Sequence, residues 1–268
     1  MGVRSAATVA AAAAFLFVPA CGGGSDGEQR RTPTPTPREV LPDLVQTVPG
    51  AISVVTSDGR ERLVFLSAVE NLGPGALVIV GRRASTAVPE MATSQIVRRA
   101  DGSAAAHPLR TGLRFVVAET HRHWHLLGFE RYELLTPDGE PVGRDRKTGF
   151  CLGDRYDRSK RERLPGEPKR AVFTHECGRG QPNRLRIREG LSPGFGDDYV
   201  PLLEGQYIDV TGLPAGRYLL VHRVNAGREL RETSYDNNAA SVVVRLRRTD
   251  GTTTVAVLAK CPGSARCG

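Results

Sequence analysis

From about residue 40 onward the apolar residues come in short runs broken by turn residues. No long stretch repeats at the 3.6-residue period of an amphipathic helix. Runs rich in Val, Ile, Leu and Tyr at 62–69, 76–80, 113–118, 126–135, 206–210, 218–224, 240–246 and 252–258 read as eight short β-strands. Asn71-Leu72-Gly73-Pro74-Gly75 ends the first of them, and Leu213-Pro214-Ala215-Gly216 separates two later ones. Glycine (30) and proline (18) are abundant, which disfavours a helical bundle. The pattern predicts an all-β fold, an immunoglobulin-like β-sandwich with long irregular loops. The segment 144–195 stands apart as basic, rich in Gly and Pro and weakly periodic. So long an irregular stretch in a compact domain is usually functional.

The chain has 268 residues, 40% hydrophobic and 25% charged. This is ordinary globular composition, and it excludes a disordered chain or a multi-span membrane protein. The length fits one large domain or two small ones.

The first twenty residues read as a leader rather than as fold. Arg4 gives a positive start, and residues 6–18 form an apolar run too short to span a bilayer. Val18-Pro19-Ala20-Cys21 follows, then Gly22-Gly23-Gly24-Ser25-Asp26, and this junction resembles the lipobox of bacterial lipoproteins. The resemblance implies cleavage before Cys21 and lipid on its sulfur. Residues 21–40 then form a lipidated linker in which Thr32-Pro33-Thr34-Pro35-Thr36-Pro37 favours an extended, semi-rigid spacer. The domain from 41 to 268 would be exported and tethered through Cys21 to the outer face of the membrane.

Cysteine usage suits that compartment. With Cys21 acylated, Cys151, Cys177, Cys261 and Cys267 remain, and an even number in an exported chain predicts disulfides. Four cysteines allow three pairings. Cys261 and Cys267 are close enough in sequence to close a short loop, which leaves Cys151 with Cys177 to staple the polar segment.

Lys+Arg number 37 against 29 Asp+Glu, a net charge of +8. Aromatic residues make up only 6% and no nucleic-acid motif is present, so nucleic acid is not an expected partner. The excess reads as a solvated face, with attraction to an anionic lipid surface or an acidic wall as the alternative.

Three histidines fall within five residues, His121-Arg122-His123-Trp124-His125. On a strand, residues i and i+2 face one side, so the three imidazoles share a face at steps of about 6.8 Å. Bringing all three to one ion needs a bend near His125. Imidazole suits copper, zinc, iron or nickel, and with no thiolate or carboxylate in the cluster Cu(II) or Zn(II) fits best. Copper suggests oxygen chemistry and zinc suggests hydrolysis, although no His-Glu-x-x-His helix is present. Trp124 should point to the opposite face, into the core.

The string from His121 through Phe129, Tyr132 and Leu135 resembles the copper-binding segment of the lysyl oxidase family, which has His-x-His-x-His followed by a Phe-x-x-Tyr-(Asp/Glu)-Leu-Leu tail. Lys147-Thr148-Gly149-Phe150-Cys151-Leu152 and Gly190-Leu191-Ser192-Pro193-Gly194, which leads to Tyr199, resemble further family segments in order. The resemblance continues through Gln206-Tyr207-Ile208-Asp209-Val210-Thr211 and Tyr235-Asp236-Asn237-Asn238, and covers about residues 41–247. It implies a lysyl oxidase-type β-sandwich and a copper-dependent amine oxidase. Such an enzyme uses dioxygen to convert primary amines, lysyl side chains or small amines, to aldehydes with release of ammonia and hydrogen peroxide. It implies His121, His123 and His125 as copper ligands, and a lysine tyrosylquinone made from Lys147 and Tyr199. It also suggests, loosely, a calcium site at Asp43, Glu232, Asn237 and Asn238.

The chain departs from the family at Arg131, where the family carries a histidine in a Phe-x-His-Tyr pattern. His175, Asp197 and Asp198 are the substitutes in view for a proton-abstracting base. Residues 155–170 form a basic insertion that would repel cationic amines. These departures keep two other readings open: a non-catalytic copper-binding envelope lipoprotein or interaction module, and a zinc hydrolase.

Overall fold

A computed structural model describes residues 37–118, 122–145, 147, 149–158, 162–203 and 205–267. The expected leader, Cys21 and the Thr-Pro spacer up to residue 36 lie outside the described residues, as does His121.

Nineteen strands and no helix are found among the described residues. The first six are β1 (Glu39–Val40), β2 (Leu44–Gln46), β3 (Gly50–Ser57), β4 (Arg60–Asn71), β5 (Leu77–Arg82) and β6 (Glu90–Arg99). Next come β7 (Ala104–Pro108), β8 (Leu113–Val117), β9 (Arg122–Leu127), β10 (Glu130–Leu135), β11 (Pro141–Arg144) and β12 (Gly149–Phe150). The last are β13 (Tyr156–Asp157), β14 (Arg186–Leu191), β15 (Phe195–Tyr199), β16 (Tyr207–Asp209), β17 (Gly216–Val224), β18 (Ala239–Thr249) and β19 (Thr252–Cys261).

The all-β expectation holds, and the strands form three antiparallel sheets. One has eight strands along β12-β9-β8-β6-β5-β14, with β1 and β7 also on β6. A second has five, β11-β10-β17-β18-β19, and a third has six around the long strand β4, which pairs with β2, β3, β15 and β16. Most of the extra strands relative to the eight expected are short, or carry charged residues that mask their alternation; β3, uncharged and eight residues long, is a strand the reading missed. β14, with Arg186, Arg188 and Glu189, lies inside the segment expected to be irregular. Residues 126–135, expected as one strand, are the end of β9 and all of β10. Gly128 turns the chain between them at φ 66°, a conformation that only glycine adopts without strain.

The apolar faces of the sheets meet in one core that includes Phe65, Trp124, Tyr132, Phe150, Leu220 and Val242. Each such side chain contributes roughly 1.5–3 kcal/mol by leaving water. Cys151–Cys177 and Cys261–Cys267 are both disulfides, the two pairs expected.

Candidate functional site

The histidine strand β9 is held between β8 and β12. Alternation turns Trp124 into the core, where it is fully buried and its Nε1 donates to the Gln181 carbonyl at 3.1 Å. His123 and His125 share the other face. Their rings lean together to a centroid separation of 4.7 Å at an interplanar angle of 55°, closer than the strand repeat of about 6.8 Å. His125 is buried and His123 is half-buried.

A glycine brings the rest of the site to these rings. β12 pairs with β9 through Gly149–Leu127 and Phe150–Leu126. A Cβ at Gly149 would lie 2.7 Å from the His125 Cβ and 3.0 Å from the Leu126 carbonyl, so no larger residue fits there. Just before β12, Asp145 accepts the Lys147 backbone N–H at 2.8 Å through Oδ1, and the Tyr132 backbone N–H at 2.8 Å through Oδ2. One carboxylate thus ties the Lys147 loop to β10. Burial pushes Asp145 up to about 6, against these backbone donors and the Lys147 charge.

Tyr199 arrives on β15, which pairs along β4 so that Tyr199 stands opposite Ser67. Its ring meets Phe150 edge-on at 5.0 Å and 80°. Lys147 Nζ stands 5.0 Å from the Tyr199 ring centroid and 4.9 Å from that of Phe150. A cavity of about 220 Å³ is lined by His123, His125, Lys147 and Tyr199 together, with Arg155, Glu176, Arg179 and Asp198 also in its lining. Four of the five site residues expected from sequence therefore share one cavity. Among the described residues no group of three His, Cys, Asp or Glu forms a metal-binding set, and the fifth site residue, His121, lies outside them.

The Cys151–Cys177 bridge joins the two halves of the site. The Tyr199 hydroxyl donates to the Cys151 carbonyl at 3.2 Å, and the Trp124 N–H donates to the Cys177 carbonyl at 3.0 Å. The single O–H proton is shared with Asp197 Oδ2, the nearer acceptor at 2.7 Å. Burial, with the Asp197 charge behind it, pushes the Tyr199 phenol well above its ordinary value. Burial raises Asp197 to about 7, opposed by the Tyr199 hydrogen bond and by Arg155, whose Nε lies 3.4 Å from Oδ1. Glu189, buried nearby, is pushed well up by burial and then by Asp197.

On β10, Glu130 turns inward and accepts from Ser67 Oγ at 2.9 Å and Tyr132 Oη at 2.8 Å. Burial raises it to about 7 against those bonds. Ser67 Oγ also meets His222 Nδ1 at 3.0 Å, and burial lowers the His222 imidazole well below its usual range.

The candidate bases separate by place. His175 is exposed and outside the cavity lining, Asp198 is in that lining, and Asp197 is buried against Tyr199. Arg131 is exposed and lines a second cavity of about 780 Å³ that also reaches Glu130, Asp145 and Lys147. Of the basic insertion, Arg155 pairs with Asp197, and Arg158 pairs with Glu70 at 2.5 Å. The loosely suggested calcium residues do come together: Asn237 Nδ2 donates to Asp43 at 3.0 Å and Asn238 Nδ2 donates to Glu232 at 2.6 Å. There the amide nitrogens, rather than oxygens, face the carboxylates.

Sequence reasoning missed Glu130, Glu189 and the packing role of Gly149. Glu130 carried a legible signal, a carboxylate on the same alternation as the buried Tyr132 and Leu134.

Comparison with known proteins agrees with the resemblance. The family model Lysyl oxidase matches residues 92–258, well over half of the chain. Lysyl oxidase homolog 3 of Homo sapiens is 32% identical over 126 residues, 45% of this chain and 14% of that protein. Lysyl oxidase homolog 2B of Danio rerio is 26% identical over 143 residues, 52% of this chain and 16% of that protein. Lysyl oxidase homolog 2 of Bos taurus is 30% identical over 122 residues, 45% and 14%. The alignments thus span less than a fifth of the length of these curated relatives.

Proposed function

Because this chain belongs to the lysyl oxidase family, we propose that it is a copper-dependent amine oxidase whose lysine tyrosylquinone is built from Lys147 and Tyr199. The observation that carries this reading is the single cavity shared by His123, His125, Lys147 and Tyr199, with Nζ 5.0 Å from the phenol ring. A mere copper binder needs neither Lys147 nor Tyr199 there.

The donor set fits copper: two imidazoles lean together at 4.7 Å, and His121, one alternation step before His123, is the third ligand in this reading. When present, copper and the quinone supply the oxidation, using dioxygen to turn a primary amine into an aldehyde with ammonia and hydrogen peroxide as products. The chain's own residues orient and protect. The Phe150 and Tyr199 rings hold Lys147 Nζ in place, and burial of Tyr199 keeps water off the ring. Lys147 can act as a nucleophile only when neutral, which a low-dielectric surrounding favours. Asp197 Oδ2, already at hydrogen-bond distance, is placed to take the phenol proton of Tyr199.

Arg155 and Arg179 in the cavity lining are paired with Asp197 and Glu176, which softens their repulsion of a cationic amine. In this reading the protein is exported and anchored through an acylated Cys21, and its two disulfides support an oxidising compartment. A second reading, a copper-binding lipoprotein without oxidase activity, draws on the exposed Arg131 at the family histidine position.

One experiment separates them. The protein is folded oxidatively with copper and air, and its visible spectrum is recorded before and after phenylhydrazine, beside Tyr199→Phe. A band that shifts with phenylhydrazine and vanishes in the variant is expected. Stoichiometric copper without a band would overturn the oxidase reading in favour of the copper binder.

A further inference from the structure

The outward face of β14, β5, β6 and β7 takes no part in the site above. On this face the register sets Arg186 directly opposite Arg82, and Arg82 opposite Ala92. Arg188 stands opposite Val80, Val80 opposite Ser94, and Ser94 opposite Pro108. Ile96 pairs with Ala106 and Arg98 with Ala104. The intervening Ile187, Gly81, Thr93 and Val97 are buried on the inner side. Arg82, Arg98, Arg186 and Arg188 are exposed around an apolar strip of Val78, Val80, Ile96 and Ala106.

No carboxylate answers these charges. Among the described residues none of the four arginines makes an ion pair. Like charges directly opposite on neighbouring strands are destabilising, and Arg186 and Arg82 are such a pair. Arg188 lies over the Phe173 ring at 4.7 Å. Burial, then repulsion from Arg186 and Arg98, lowers its hold on its proton. Two cavities open on the face on either side of Ile96. One is of about 510 Å³, with Val78, Arg98, Phe173 and Arg188 in its lining. The other is of about 520 Å³, with Val80, Arg82 and Arg186.

Concentrated positive charge over an apolar floor matches a surface that offers anionic headgroups above hydrocarbon. The course of the chain agrees. β1 closes the margin of this sheet, with Glu39 opposite Arg99 and Val40 opposite Arg98, and Val40 lines the first cavity. The Thr-Pro segment that precedes Pro37 therefore joins the domain at the edge of this face. In the reading on which this rests, Cys21, sixteen residues before Pro37 in sequence, holds the chain at the membrane. We propose that the Arg82–Arg98–Arg186–Arg188 face docks the domain onto anionic phospholipid headgroups, so that the tether and the face together fix its orientation on the membrane.

The test uses the mature chain from residue 21 onward with Cys21→Ser, so that neither the leader nor an acyl anchor contributes, and measures co-sedimentation with phosphatidylcholine vesicles with and without phosphatidylglycerol. Binding only to the anionic vesicles, weakening as salt rises, is expected. Arg82→Glu/Arg186→Glu/Arg188→Glu should lower the partition coefficient by about tenfold or more. Arg217→Glu/Arg245→Glu/Arg247→Glu, the same change of net charge on the five-stranded sheet, should change it little. Arg82→Gln/Arg188→Gln serves as the milder pair should the triple variant fold poorly, and should weaken binding in the same direction. No binding to anionic vesicles would overturn the proposal. So would equal losses in the face and control variants, which would mean net charge alone, and so would full competition by inorganic phosphate, which would mean a small-anion site.

Discussion

Lys147 Nζ stands 5.0 Å from the centre of the Tyr199 ring and 4.9 Å from that of Phe150, although Lys147 lies in the loop before β12 and Tyr199 on β15 of another sheet. The closeness makes the amine's protonation state decisive. Lys147→Arg keeps a cation over the two rings but cannot supply a neutral amine, because a guanidinium does not lose its proton in proteins. The variant should bind copper at the wild-type stoichiometry, show no phenylhydrazine-sensitive band and yield no Lys147–Tyr199 cross-linked peptide on digestion. A normal band in Lys147→Arg would remove Lys147 from the cofactor.

The approach of β12 to His125 depends on the missing side chain at Gly149. Gly149→Val should force β12 off β9, at a cost of about 1–3 kcal/mol from overpacking. Because the displaced strand carries Phe150 and follows Lys147, the loss of copper affinity and of quinone should exceed what the fall in melting temperature alone implies. Copper titration and thermal unfolding on the same sample check this, and a variant that loses stability but matures normally would mean that the strand contact is structural only.

The fold class was readable because short apolar runs and frequent turns leave little else to build. Individual elements were harder. Gly128-Phe129 joins two apolar runs without proline or asparagine, so β9 and β10 merged into one run. β14 hid behind Arg186, Arg188 and Glu189 because its outward side is basic and its inward carboxylate is buried. The histidines of the site were legible from alternation alone. Lys147 and Tyr199 were not, since a lysine in a basic loop and a tyrosine in a Gly-rich one are ordinary, and only the resemblance singled them out. The neighbour that Gly149 must avoid is visible only in three dimensions.

Glu130 makes stability depend on pH in a direction opposite to that of a salt-bridged carboxylate. Its folded-state value is raised by burial from 4.5 to about 7, so between those values the native state holds a proton that the unfolded state has lost. Stability must then fall as pH rises through that window. The shift corresponds to about 3 kcal/mol as an upper bound. Glu130→Gln, which cannot ionise, should flatten the decline between about pH 5 and 8 in urea midpoints and leave the variant relatively more stable at the alkaline end. Parallel curves for variant and wild type would show that Glu130 does not titrate in this range.

The Cys151–Cys177 disulfide should matter to the site more than to the chain as a whole. Closing a span of 26 residues is worth about 3–4 kcal/mol by the loop-entropy relation, and the rest of the fold stands on the three sheets. Yet the carbonyl of Cys151 receives the Tyr199 hydroxyl, and that of Cys177 receives the backbone N–H of Trp124 between the two described histidines. Cutting the bridge frees both halves at once. Cys151→Ser/Cys177→Ser should therefore fold, with a lowered melting temperature, and still lose the cofactor band or form it much more slowly. The matching Cys261→Ser/Cys267→Ser variant, remote from the cavity lining, should keep it. Equal maturation rates in the two double variants would mean that the first bridge holds only the loop it closes.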